Sequence, residues 1–332
     1  MLIDKKEDVL SVKNLCMSFH TDRGILPAVS DVSIKIKKGQ ILGFVGESGC
    51  GKSMTALSIM QLIPVPPGKI DSGEIFFHGK DLLKATEKQM EKIRGKEVAM
   101  IFQEPMTSLN PVIPVGKQIR EVIKVHEKLS RTEISKRALE MIKKVGIPMP
   151  EKIFRSCPHQ LSGGMRQRIM IAMALACRPE LLICDEPTTA LDVTIQAQIL
   201  KLILDLRDEM GTSVLLITHD MGVISEVAEM VVVMYAGQVM EYASTRELFT
   251  HPLHPYTLGL MESIPKLNEN TQELHVIPGS VPMLYELPAG CLFAPRCPFA
   301  KSICTKNRPD ISEIGDHQVR CFKYMPQWES EV

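Results

Sequence analysis

The 332-residue chain carries 39 Lys and Arg against 39 Asp and Glu, so its formal charge is zero and no global positive field draws it to nucleic acid or anionic lipid. A hydrophobic content of 45% supplies a sizeable core, held either in one large domain with an appendage or in two domains. The longest uninterrupted apolar run, Ile169 to Cys177, falls far short of the roughly 18 residues that span a bilayer. Met1 to Asp8 is charged with no apolar core behind it, so no secretory signal is expected and any membrane association should run through a protein partner.

In chain order, Val32, Ile34 and Ile36 alternate with polar residues, as do Ile75 and Phe77 beside the turn glycines Gly73 and Gly79, which predicts antiparallel strands. Between them an apolar strand, Ile41 to Val45, runs into GESGCGKS, and a helix is expected to start near Ser53. This is the pattern GxxxxGK[ST] in the strand–loop–helix context that gives it meaning. Successive loop amides from Gly46, Glu47, Ser48, Gly49, Cys50 and Gly51, with the positive end of the helix, form a concave site for phosphate oxygens. Lys52 adds a point charge for β and γ phosphates, and the Ser53 hydroxyl suits one position on Mg²⁺. Cys50, a small side chain inside the loop, reads as a packing residue, with a second reading in which proximity to Lys52 lowers its pKa and makes the thiol reactive, with ATP protecting it.

From Val98 the strand AMIFQ delivers Gln103 and enters the proline-punctuated stretch Glu104 to Pro114. Ile119, Val122, Ile123 and His126 then fall on one helical face, and Ile134, Ala138, Met141, Ile142 and Val145 on another. Ser130 with Glu133 reads as a capping box for the second helix. These stripes read as core faces, within a helical subdomain spanning about residues 104–158. Leu161 to Arg168, LSGGMRQR, then opens a helix with a serine and two glycines, a second helix start suited to an anion. Leu181 to Cys184 predicts a buried parallel strand carrying Asp185 and Glu186 at its C-terminal edge, where paired acids call for a cation or cap the following helix. Asp185 is placed to orient a magnesium shell and Glu186 to polarise an attacking water. Val214 to Ile217 brings His219 to a similar edge.

With these motifs together, the chain resembles the ATP-binding cassette (ABC) ATPases, whose signature is LSGGQ; here Met165 replaces the glutamine, and Met54 replaces the hydroxyl residue often found after Ser53. The resemblance implies an α/β P-loop cassette: a RecA-like core, an antiparallel β subdomain and an inserted helical subdomain, over residues 1–243. It implies that Lys52 and Ser53 grip ATP, that Ser53, Gln103 and Asp185 hold Mg²⁺, that Glu186 is the catalytic base and that His219 senses the γ-phosphate. Phe19 would stack on adenine, and Met54 lies among the nucleotide-binding positions. Ser162, Gly163, Gly164 and Asp192, in Ala190-Leu191-Asp192, would act on ATP held by the loop of a second subunit. Gln103 and the residues after it would form a hinge, and Pro105 to Pro114 the docking surface for a transmembrane subunit.

After the hairpin through Gly237 to Tyr242, prolines multiply. HPLHPYT at His251 to Thr257, Pro278 to Pro282 and GCLFAPRCPFA resemble the C-terminal extension of ATPase subunits from dipeptide and oligopeptide ABC importers, here residues 244–332. Cys16, Cys157, Cys177 and Cys184 read as buried small hydrophobes, whereas Cys291, Cys297, Cys304 and Cys321 gather in the extension with spacing Cx5Cx6Cx16C. That spacing lacks a CxxC knuckle and leaves zinc, an iron–sulfur cluster or unligated thiols open. The resemblance implies a [4Fe–4S] cluster on these four cysteines, within a shell of Phe293, Pro295, Pro298, Phe299 and Phe322, and so a small metal-bearing extension. It further implies peripheral placement on the cytoplasmic face of a membrane, a related second ATPase subunit, two transmembrane permease subunits and, indirectly, an extracytoplasmic peptide-binding protein. The alternative is a soluble cassette ATPase acting on nucleic acid or ribosomes; the single phosphate loop, the lack of sustained heptads and the neutral charge weigh against it.

Overall fold

Parallel strands buried on both faces read as near-continuous apolar runs, and three segments of this chain fit, ILGFV, LLICD and SVLLI, with polar residues only at the ends, Asp185 and Ser213. In the computed structural model, which describes residues 7–103, 108–189, 192–263 and 276–329, every residue of all three is buried. The strands in chain order are β1 Asp8–Thr21, β2 Gly24–Lys37, β3 Ile41–Val45, β4 Gly68–Phe77, β5 Lys80–Asp81, β6 Val98–Ile101, β7 Leu181–Asp185, β8 Ser213–Ile217, β9 Met230–Tyr235, β10 Gln238–Ser244, β11 Ser312–Ile314 and β12 His317–Val319. The chain divides into two compact units: Met1–Val9, Ile36–Gln40 and Lys84–Ile217 in one, and Leu10–Lys35, Ile41–Leu83 and Thr218–Val332 in the other.

In the first unit, β7 pairs in parallel with β6 and β8, Ile183 lying opposite Met100 and Leu215. Ile183 is fully buried, and truncating such a side chain to alanine costs about 2–5 kcal/mol. The predicted helices form as Val115–His126 and Arg131–Lys144. Ile119 and Ile123 on one and Ile134, Ala138, Met141, Ile142 and the C-capping Val145 on the other are buried, whereas Val122 and His126 of the first expected face are only half-buried. Ser130 and Glu133 make the reciprocal capping box. Helix Gly163–Ala174 and helix Val193–Met210 complete the unit's longer elements. The expected strand AMIFQ ends earlier, at Ile101. Phe102 and Gln103 lie outside it and are exposed, so Gln103 emerges from a strand end rather than from within a ladder.

In the second unit, β1 pairs antiparallel with β4 in a sheet ordered β2-β1-β4-β5, as the alternating pattern predicts. There β3 is parallel to β9, and β9 turns back into β10 through Ala236 and Gly237, both at positive φ, the backbone a tight hairpin turn needs. The tail joins this unit by strand addition: β12 pairs with β10, and β11 with β12. Two polar anchors fix the docking. Arg320, almost wholly buried, pairs with Asp31 at 2.9 Å and donates to the Val239 carbonyl at 3.1 Å. Glu241, fully buried on β10, accepts from the Leu253 and His254 amides at 2.7 and 2.9 Å and lies 2.6 Å from His317 Nε2. A buried carboxylate is tolerated only when so satisfied. Among the described residues no helix is long and apolar enough to cross a membrane.

Candidate functional site

The phosphate loop lies wholly in the second unit, between β3 and helix Lys52–Ile59, which begins one residue before the predicted start. Gly46 has φ +151°, and a Cβ there would come within 2.2 Å of the Met234 carbonyl oxygen, so only glycine fits. Lys52 is buried, and its Nζ donates to the carbonyls of Gly46 and Glu47 at 2.8 and 3.0 Å. Ser53 and Met54 are half-buried on the first turn, and Ser48 and Gly49 are exposed at the loop tip. Phe19 is half-buried near the end of β1, opposite Gly68. The reactive reading of Cys50 is corrected: the thiol is fully buried, and burial raises its pKa despite Lys52 Nζ at 3.7 Å, because desolvation outweighs the nearby charge. His219 is exposed beside Asp220, whose carboxylate caps helix Met221–Val227 through the Gly222 and Val223 amides.

In the first unit Asp185 is buried at the end of β7, and Glu186 follows with φ +46°, a left-handed backbone that a non-glycine residue adopts at a cost. Its amide still donates to the Ile217 carbonyl at 3.0 Å. Gln103, distant in sequence, donates its Nε2 to Glu186 Oε2 at 2.9 Å, and the Thr189 hydroxyl donates to the same oxygen at 2.8 Å. Buried Gln167 donates to the Pro187 carbonyl and Gln196 to the Thr188 carbonyl, so the backbone after the acid pair is held by side chains from two helices. One of these helices starts at the signature: Ser162 Oγ caps it by accepting the Met165 amide, with Gly163 and Gly164 next. The structure thus brings Gln103 and Glu186 together and fixes the segment beside them from the signature helix. Asp192 caps helix Val193–Met210 through the Ile195 amide at 2.9 Å; Ala190 and Leu191 lie outside the described residues. So do Glu104 and Pro105, while Asn110 and Ile113 are pinned by Gln118 at 2.8–3.0 Å, with Val112 exposed beside them.

In the tail, Cys291, Cys297, Cys304 and Cys321 line one small pocket with Phe293, Phe299 and Phe322, while Pro295 and Pro298 of the expected shell do not line it. Gly290 permits the approach, since a Cβ there would meet the Cys304 carbonyl at 2.2 Å. Burial, with charge from neighbouring cysteines, pushes the Cys291 and Cys321 thiols up to about 11 and raises Cys297 as well. Among the described residues, however, no group of three or more His, Cys, Asp or Glu side chains is placed to hold a metal ion. The metal-bearing extension is therefore not borne out by the structure, which gives convergent thiols on an apolar wall and no coordination set. Cys177 and Cys184 are buried as expected, whereas Cys16 and Cys157 are only half-buried, the Cys16 thiol accepting the Asp31 amide.

The sequence reading missed Thr189, Glu241, His254, Arg296 and Tyr256. Arg296 stands between two of the tail cysteines, and its Nη1 bonds both Glu47 carboxylate oxygens at 3.1 and 2.9 Å. Tyr256, in the HPLHPYT stretch, accepts the Glu47 amide at 2.9 Å. No local periodicity marks either residue, because each partner lies some two hundred residues away.

The ABC transporter family matches residues 29–189, and the family described as Oligopeptide/dipeptide transporter, C-terminal region, matches residues 240–304. The oligopeptide transport ATP-binding protein OppD of Bacillus subtilis is 52% identical over 96% of this chain and 89% of its own length. The chain belongs to the ATP-binding proteins of peptide ABC transporters. The dipeptide transport ATP-binding protein DppD of the same organism is 49% identical over 95% of each chain. Among solved structures, the dimeric post-hydrolysis state of the ATP-binding cassette MJ0796 bound to ADP and Pi matches with TM-score 0.64 and 29% identity, over 71% of this chain and 99% of that one. A peptide ABC transporter cassette accounts for the fold class expected above.

Proposed function

We propose that this chain is the ATP-hydrolysing subunit of a membrane importer for dipeptides or oligopeptides. One observation carries the reading: a complete set of phosphate-binding and acid motifs occurs in the same chain as a C-terminal region of the oligopeptide/dipeptide transporter type. Lys52 and the loop amides bind the β and γ phosphates, with Phe19 against the adenine and Glu47 to Met54 lining the nucleotide. Ser53, Gln103 and Asp185 are oxygen donors suited to a hard cation and would hold Mg²⁺, which would supply charge neutralisation for the phosphates. Glu186 accepts a proton from the attacking water, Gln103 and Thr189 holding the carboxylate in place, and His219 contacts the γ-phosphate.

Ser162, Gly163, Gly164 and Asp192 act on the nucleotide of a second ATPase subunit, a related but distinct chain in our reading. The pair works on the cytoplasmic face beneath two permease subunits, with a peptide-binding protein outside delivering cargo. Only the γ-phosphate state offers Gln103 its full set of contacts, so hydrolysis releases the hinge and the docking surface at Pro105 to Pro114. Residues 1–243 are the cassette, 104–158 its helical subdomain and 244–332 the extension.

For the tail we infer a [4Fe–4S] cluster rather than a single ion. Four cysteines that share one pocket with an aromatic wall are the ligand type such a cluster takes. Its contribution would be to tie a loop-rich segment together. The test of the whole reading is peptide uptake in cells lacking the native subunit: restoration by the wild-type chain and not by Glu186→Gln supports it. Full-rate ATP hydrolysis by a strictly monomeric preparation would refute the two-subunit scheme.

A further inference from the structure

A carboxylate in a phosphate-binding loop is a liability. Glu47 follows the first glycine of the loop, and an unpaired negative charge there repels an incoming triphosphate. It also lies five residues from Lys52 in sequence, so if free it competes with phosphate for the ammonium. The structure removes this liability with groups from outside the loop.

Arg296 Nη1 holds both oxygens of the Glu47 carboxylate. The Arg296 side chain is only 7% exposed and is itself fixed: Nε donates to the Pro278 carbonyl at 2.8 Å, Nη2 to the Ile277 carbonyl at 3.3 Å, and Nη1 to the Tyr235 hydroxyl at 3.4 Å, with the guanidinium 5.7 Å from that ring. Burial works against the charge, but the bonds to Glu47 and Tyr235 outweigh it and raise the Arg296 pKa above its ordinary value. The Tyr256 hydroxyl accepts the Glu47 amide at 2.9 Å. Tyr256 is fully buried and stacks edge-on against Tyr235 and at a tilt against Phe293. Glu47 is thus gripped at both its side chain and its amide by residues from the extension.

We propose that Arg296 is a positioning residue for ATP binding: supplied by the cysteine-bearing tail, it neutralises Glu47 and keeps that carboxylate off Lys52, so that the phosphate loop is complete only when the tail is docked. The inference rests on the ATPase reading above.

The test is a double-mutant cycle in the full chain, with Mg–ATP binding measured by calorimetry and KM and kcat measured in the assembled transporter. Arg296→Gln should weaken ATP binding and raise KM about tenfold with little change in kcat, the size expected for losing a charge-assisted bond. Adding Glu47→Gln should recover most of that loss, because the repelling charge is then gone, and Arg296→Lys should lie between wild type and Arg296→Gln. A merely structural role predicts the opposite: the double variant would be no better than the single one. Should Arg296→Gln not fold, as read from Trp328 emission, the same cycle run with Arg296→Lys gives a smaller rise in KM that Glu47→Gln reverses. Unchanged binding in Arg296→Gln, or no recovery in the double variant, overturns the inference. A wild-type chain that does not bind ATP would instead sink the ATPase reading.

Discussion

Acidification should loosen the docked tail through one buried imidazole. His254 is almost fully buried at the start of helix Pro255–Glu262, and its Nδ1 accepts the Tyr256 amide at 3.0 Å, a bond that needs the neutral ring. Burial lowers its pKa from 6.5 to about 4, with the Glu241 charge opposing only in part. As pH falls through 6.5 the unfolded chain takes up this proton while the native chain does not, so stability declines with falling pH until the folded group titrates near 4. The full gap corresponds to a penalty of about 3 kcal/mol, absent above neutral pH and mostly incurred by about pH 4.5. The chain's single tryptophan, Trp328, packs against the tail cluster of Ala294, Cys304 and Phe322 and reports on this region. Urea unfolding followed by Trp328 emission from pH 7.5 to 4.5 should therefore show a steeper decline for wild type than for His254→Asn, which keeps a capping oxygen without the titration. Parallel curves for the two proteins would refute the reasoning.

Glu186→Gln should retain ATP binding and trap the two-subunit state while hydrolysis falls roughly 10²–10⁴-fold, as for loss of a general base; single-turnover kinetics and gel filtration check both, and unchanged turnover removes Glu186 from the role. Cys50, buried with a raised pKa, should react with iodoacetamide far more slowly than an exposed thiol at pH 7.5, with or without ATP; rapid labelling that ATP blocks would contradict the buried placement. Anaerobically purified protein should show an absorbance band near roughly 400 nm that Cys297→Ser loses. A colourless protein with stoichiometric zinc would overturn the cluster.

Local chemistry made the nucleotide machinery legible. A glycine such as Gly46, where no Cβ fits, an apolar strand ending in Asp185 and Glu186, and a serine-capped helix at Ser162 are each set by residues adjacent in sequence, so the chain alone announced them. Fully buried strands were readable as unbroken apolar runs, and half-buried strands and amphipathic helices by their 2.0 and 3.6 residue periods, which are properties of the backbone. What the sequence did not contain was the balance of charge and burial at each group. Proximity to Lys52 suggested an acidic Cys50 thiol, and only the packed loop showed that desolvation reverses the direction. The four tail cysteines suggested a metal, but their convergence on one pocket, and the lack of a coordination set among the described residues, are tertiary facts. The pairings of Arg296 with Glu47, of Gln103 with Glu186 and of Glu241 with His317 span 249, 83 and 76 residues. Separations of that size leave no periodic trace in a sequence; the fold alone chooses such partners, because only the folded backbone brings those side chains within hydrogen-bond reach.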